Sequence, residues 1–358
     1  MTKRIGILTS GGDCAGLNAV IRAVTLRACG LGWEVFGIEM GTRGLMERPV
    51  RAIKLDPEIM DVRLLRQGGT FLGTTSKGNP FAYPMPDGSL KDRSDEVIEG
   101  YKMLGLDALI GIGGDGSQAI LRGIMQKGGL NYVAIPKTID DDIGLTEHSI
   151  GYMTAVYVAT EALDRLQPTA ASHDRVIILE VMGRDAGHIA LATGIAGGAD
   201  IILIPEIPYT LEAVAKKIKS ISEGGRDFAL VVVSEAVTME GGQASTIKDT
   251  DNKERFGGIA HYLSDKIQAM TGAETRFTVL GHVQRGCQPV VQDRILAQSL
   301  GVKAVDLIME GKFDRMVAWQ NRQVVDVAIE DAIKAYQAVD VNGSLVQVAR
   351  GLGISFGD

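Results

Sequence analysis

Short apolar runs alternate with longer stretches of helical periodicity along the whole chain. Ile5–Leu8 reads as a buried strand, because Gly11-Gly12 follows at once. Leu17–Cys29 reads as a helix, with Val20, Ile21, Val24 and Ala28 on one stripe. Further strands are predicted at Trp33–Ile38, Ala108–Ile112, Tyr132–Ile135, Arg175–Val181, Ile201–Ile204, Phe228–Val233 and Arg276–Leu280. Gln323–Ile329 is also strand-like. These runs are continuous rather than alternating, as in parallel strands covered on both faces. Strands separated by helices imply an α/β chain with parallel sheets and right-handed crossovers. Ser76–Ser94 breaks the pattern as a long polar loop with three prolines; loops of that length are often functional.

A chain of 358 residues exceeds one ordinary domain, so two lobes are expected. The expected division is residues 1–142 with a return near 285–325, then 143–284 with 326–358. Hydrophobic residues are 45% and charged residues 23%, which excludes a disordered chain. The net charge of −7 argues against a nucleic-acid partner. No apolar run reaches the ~18 residues of a membrane span, and the N-terminal run is too short for a signal segment. Cys14, Cys29 and Cys287 are scattered and form no CxxC, so reduced thiols in a cytoplasmic protein are expected. Glycine changes the picture most: 45 residues, with no collagen period, point to many tight strand-to-helix turns.

Two glycine clusters follow predicted strands. Ser10-Gly11-Gly12-Asp13-Cys14-Ala15-Gly16 precedes a helix, where free backbone N–H groups can hold an anion. Gly111-Ile112-Gly113-Gly114-Asp115-Gly116-Ser117 fits GxGxxG, but a dinucleotide reading puts the Asp115 carboxylate against a pyrophosphate. Magnesium removes the conflict, since it takes one or two carboxylates plus phosphate oxygens. The loop therefore suits a kinase better than a hydride-transfer enzyme, and Ser117 can supply a hydroxyl or an N-cap. Pro136-Lys137-Thr138-Ile139-Asp140-Asp141-Asp142 forms a third element. If extended, it puts Asp140 and Asp142 on one face, one to accept a proton and one to attend a metal.

Taken together, Thr9–Asn18, Gly113–Ser117, Pro136–Asp142, Ser172–Arg175, Glu180–Gly187, Ser234-Glu235, Glu274–Arg276 and Leu280–Gly286 resemble the 6-phosphofructokinase family in order and spacing. The resemblance implies two doubly wound, Rossmann-like lobes with the active site in the cleft between them. It implies transfer of a phosphoryl group from Mg-ATP to the 1-hydroxyl of fructose 6-phosphate, in glycolysis. Asp140 then matches the base, Asp115 the magnesium-linked acid, and Gly12, Thr138 and Arg184 the groups around the transferred phosphoryl. Gly12, Ser76, Lys77, Gly114, Asp115, Gly116 and Ser117 match the nucleotide side. Thr138, Ile139 and Asp140 match the sugar-phosphate side, with Arg175, Met182, Gly183, Arg184, Glu235, Arg276, His282, Val283, Gln284 and Arg285. The counterparts of Arg175 and Arg276 come from an adjacent subunit, which implies a homo-oligomer, a tetramer in preference to a dimer.

Departures from the family pattern bear on the donor. Relatives that use pyrophosphate carry Asp at the position of Gly116 and Lys at that of Lys137. Gly116 favours ATP, while Lys137 occurs with both donors; a pyrophosphate-dependent enzyme, also taking sedoheptulose 7-phosphate, is the alternative. Ser76-Lys77 stands where bacterial ATP enzymes have an arginine, and Asp141 where Asn is frequent. Arg22 and Asp200 match effector-site positions. Leu26 replaces an arginine there and Gly225-Arg226-Asp227 a lysine-rich stretch, so control at that site is not expected. A nicotinamide oxidoreductase would bind its cofactor without magnesium. A non-catalytic sensor would have no need of Asp140.

Overall fold

A computed structural model describes residues 2–248 and 254–358. The chain divides into two compact units: residues 1–139, 143–154 and 285–336 form one, and residues 140–142, 155–284 and 337–358 the other. The first unit is built on a sheet that runs, edge to edge, Gln323–Ala328, Arg315–Gln320, Tyr132–Thr138, Ala108–Gly113, Arg4–Thr9, Glu34–Ile38 and Ala52–Leu55. Only the two edge pairings are antiparallel. The five inner strands run parallel, so their C-terminal ends lie along one rim of the sheet. The glycine clusters leave from that rim, where open α/β sheets bind ligands.

The second unit carries a wholly parallel sheet in the order Ile201–Leu203, Ala229–Ser234, Val176–Val181 and Thr275–Val279. Three of its four strands are buried at every position, as the continuous apolar runs require. Each unit has its own apolar cluster, around Leu109, Leu121, Ile124 and Tyr132 in the first and Ile178, Val214, Val231 and Leu263 in the second.

The predicted strands all form, and the first helix spans Leu17–Gly30. Three local expectations need correction. The stretch Ser76–Ser94 is not structureless: Tyr83–Pro84 pairs with Leu90–Lys91 around an Asp87-Gly88 turn, with Gly88 at φ 82°. The boundary expected at residue 142 differs too, because residues 143–154 belong to the first unit. Ile150 and Gly151 extend its sheet beside Lys137 and Thr138, and buried Asp293 accepts hydrogen bonds from the Gly151 and Thr154 amides. The return likewise runs to Tyr336, because Gln323–Ala328 hydrogen-bonds along Arg315–Gln320.

Candidate active site

In the first unit, the loop after Arg4–Thr9 is held by backbone bonds from the Ser10 amide to the Ile112 carbonyl and from the Gly11 amide to the Thr75 carbonyl. Gly11 lies at φ 85°, a conformation glycine adopts without cost. A Cβ on Gly12 would meet the Arg285 guanidinium 2.9 Å away, so a larger residue would displace that arginine from the turn. Lys137 is buried and donates to the Gly12 carbonyl. Cys14, in the same loop, is fully buried; desolvation pushes its thiol up to about 12, so it is no nucleophile at neutral pH.

The second cluster ends the strand Ala108–Gly113 and opens the helix Asp115–Gly128. Gly114 is the N-cap and makes no side-chain cap bond. Ser117 sits inside the helix, not at its cap, and its hydroxyl faces Gly11. Asp115 occupies the first turn, and a Cβ added at Gly116 would meet no atom within 4 Å. The helix start thus combines first-turn amides, a carboxylate and open space at Gly116. Lys77 and Ser76 are exposed, with the Lys77 carbonyl accepting from the Thr75 hydroxyl.

One residue of this half was not anticipated. Gln118 is buried and donates its amide to the carbonyls of Gly111, Gly113 and Ile135, at 3.2, 3.1 and 3.0 Å, while the Tyr132 hydroxyl donates to its oxygen. It clamps the ends of two strands below the glycine turn. A signal was present: Gln118 stands on the same helical stripe as Leu121 and Met125, where an apolar side chain is expected.

In the second unit, Asp140–Asp142 does not form an extended strand. Asp141 is left-handed, at φ 56°, so the alternation that would have put Asp140 and Asp142 on one face is lost. Asp141 and Asp142 are buried, while Asp140 is half-buried. Asp142 Oδ2 lies 3.9 Å from Arg184 Nη1, and 55% of the Arg184 side chain is exposed. Glu235 accepts from the amides of Gly183 and Arg184, at 3.3 and 3.1 Å, and Gln284 Oε1 from the Met182 amide at 2.9 Å. Gly183 is required, since a Cβ would sit 2.5 Å from the Ala186 carbonyl oxygen. His282 and Val283 follow the strand Thr275–Val279 in a short 3₁₀ turn and are exposed.

Arg175 and Arg276 stand apart from this group. Both bind Glu274, at 2.8 and 2.6 Å, and the Arg175 guanidinium holds that carboxyl below its ordinary range. Arg175 precedes the strand Val176–Val181, which ends at Met182–Arg184, and Arg276 lies at the start of the parallel neighbour Thr275–Val279. Five strand residues at ~3.3 Å each make about 16 Å, beyond the reach of an arginine side chain. At the positions matched to an effector site, Arg22 donates to the Met60 carbonyl, and Asp200 is engaged by Arg226 and the Leu230 amide.

Glycine turns at strand ends, an acid in a helix's first turn and basic side chains around them are the equipment of a phosphoryl-transfer enzyme on an α/β scaffold. Known proteins place the chain within that class. The family model described as Phosphofructokinase matches residues 4–308, and the chain belongs to that family. It is 63% identical over 358 residues to ATP-dependent 6-phosphofructokinase 1 of Synechocystis sp., covering 99% of each chain. It is 61% identical over 357 residues to ATP-dependent 6-phosphofructokinase 1 of Nostoc sp., covering 100% of this chain and 99% of that one. Among solved structures, Pichia pastoris phosphofructokinase in the T-state aligns with a TM-score of 0.80 at 28% identity, over 98% of this chain and 39% of that one. A pyrophosphate-dependent phosphofructokinase from Nitrosospira multiformis aligns at 0.82 and 21% identity, over 99% of this chain and 93% of that one, which speaks to the fold alone. Among the described residues no helix is long and apolar enough to cross a membrane.

Proposed function

We propose that this chain transfers the γ-phosphoryl group of ATP to the 1-hydroxyl of fructose 6-phosphate, giving fructose 1,6-bisphosphate and ADP, the committing step of glycolysis. One observation carries the reading: the helix start at Asp115–Ser117 offers amides, one carboxylate and room at Gly116 for a nucleoside triphosphate. The names of the full-length relatives support ATP as donor.

Asp115 fits a magnesium site of the phosphate-sharing kind. Among the described residues no cluster of three or more ligating side chains exists, and magnesium on a triphosphate needs only one or two carboxylates. When bound, the ion neutralises charge on the donor phosphates. The remaining work falls to side chains and backbone. The amides of Gly12 and Gly114–Ser117 cradle the phosphates, with Ser76 and Lys77 beside the nucleotide. Lys137, through its bond to the Gly12 carbonyl, holds that turn in place. Asp140 accepts the proton of the attacking hydroxyl, worth ~10²–10⁴-fold. Arg184, directed by Asp142, and the Thr138 hydroxyl stabilise charge on the transferred group.

Glu235 holds sugar hydroxyls, with Met182, Gly183 and Ile139 lining the sugar. His282 and Arg285 take the 6-phosphate, where a guanidinium fork suits phosphate oxygens, and Val283 and Gln284 shape that turn. Arg175 and Arg276 complete the phosphate site of a neighbouring subunit, since they are too far along the strands to serve Arg184 of their own. The protein therefore works as a homo-oligomer, a tetramer in preference to a dimer, in the cytoplasm. Donor competition tests the reading: purified protein with fructose 6-phosphate and magnesium is expected to consume ATP in preference to pyrophosphate. Turnover with pyrophosphate alone would overturn it.

A further inference from the structure

The acid loop and the arginine loop of the second unit are tied together by a segment that no motif marks. The Gln337 amide donates to the Asp142 carbonyl at 3.0 Å, and its side-chain amide reaches the Asp141 carbonyl at 3.4 Å. The Gln337 carbonyl meets His188 Nε2 at 2.9 Å, so that nitrogen carries the proton. Two residues on, the Val339 amide donates to Glu206 Oε1 at 3.0 Å. The same oxygen accepts from the Gly187 amide, also at 3.0 Å. Gly187 follows the Gly183–Ala186 turn and caps the helix His188–Ala196. A Cβ at Gly187 would stand 2.7 Å from Glu206 Oε2, so the carboxylate seats directly under the turn.

We propose that His188 is a positioning residue for phosphoryl transfer, acting through the strap Gln337–Val339. The strap is bonded at one end to Asp141 and Asp142, and at the other to Glu206, which also accepts from the Gly187 amide just after the loop that bears Arg184. His188 and Glu206 fix both ends to one helix start. Their joint effect is to hold Asp142 at its 3.9 Å separation from Arg184, and with it the neighbouring Asp140. Catalytic groups must be held to within about 0.5 Å of the productive geometry, which is the task of such supporting bonds. The inference rests on the roles assigned above to Asp140 and Arg184.

The test uses His188→Leu, which removes the donor, and His188→Gln, whose amide can donate in its place. His188→Leu is expected to lower kcat roughly tenfold, the effect of one lost hydrogen bond felt at the transition state, with KM for MgATP and the melting temperature little changed. His188→Gln is expected to recover most of the turnover. Turnover of His188→Leu close to wild type, or a loss that His188→Gln does not recover, would overturn the proposal. Hydrogen exchange needs no substrate and separates this proposal from the functional reading. Faster exchange of the Gln337 and Val339 amides in His188→Leu but not in His188→Gln supports the strap even if wild-type protein fails with fructose 6-phosphate. Unchanged exchange overturns the strap.

Discussion

Replacing Gly116 by Asp moves stability and nucleotide affinity in opposite directions. The position is exposed, its backbone is helical, and a Cβ would meet nothing within 4 Å. A side chain there therefore costs no packing. Replacing a helical glycine by aspartate, a weak helix former, gains only ~0.3 kcal/mol, and a carboxylate in the first turn adds ~0.3–1 kcal/mol from the helix dipole. Adjacent Asp115 repels the new charge and takes back part of that gain. The same carboxylate would face the donor phosphates. Two unit charges about 5 Å apart at an effective dielectric constant of about 20 interact by about 3 kcal/mol. Screening by salt at an exposed site lowers this to ~1.5–3 kcal/mol, or roughly 10–100-fold in affinity. Thermal unfolding of Gly116→Asp should give a melting temperature at or above wild type, while KM for MgATP rises by that factor. An unchanged KM beside an intact melting temperature would show that Gly116 does not face the triphosphate.

Three further outcomes follow from the geometry. Gln118→Leu leaves three buried carbonyls and the Tyr132 hydroxyl short of a partner and should cost about 2–4 kcal/mol in denaturant unfolding; a loss below ~0.5 kcal/mol would contradict the clamp. Glu180 is buried in the strand Val176–Val181, and desolvation raises its carboxyl pKa although the Ala260 amide donates to it. The native state thus holds this proton more tightly than the unfolded chain, so its contribution to stability falls as pH rises from the ordinary carboxyl range through the raised value. The melting temperature of Glu180→Gln relative to wild type should therefore climb between acidic and neutral pH, and a difference that shrank would refute the sign. Mixed oligomers of Asp140→Asn and Arg276→Ala should turn over faster than either parent, because one intact site can form across subunits; no gain on mixing would place Arg276 outside the partner's site.

The strands and the glycine turns were legible because burial on both faces and sharp turns leave continuous apolar runs and glycines in the sequence. The site residues were legible because they stand in family motifs of recognisable order and spacing. The conformation of Asp140–Asp142 was not legible. An aspartate tolerates the left-handed region, so Asp141 breaks an alternation that spacing alone suggests. The hairpin within Ser76–Ser94 had a signal in Asp87-Gly88, but two-residue strands carry too few side chains to show periodicity. Gln337 and Glu206 work through backbone partners distant in sequence, which no local pattern encodes.

The proton acceptor is the central assignment, and steady-state turnover of Asp140→Asn measured beside calorimetric binding of fructose 6-phosphate tests it most directly. A kcat lower by ~10²–10⁴-fold with sugar-phosphate affinity retained is the predicted result. Turnover within a few-fold of wild type would contradict it and move the base elsewhere.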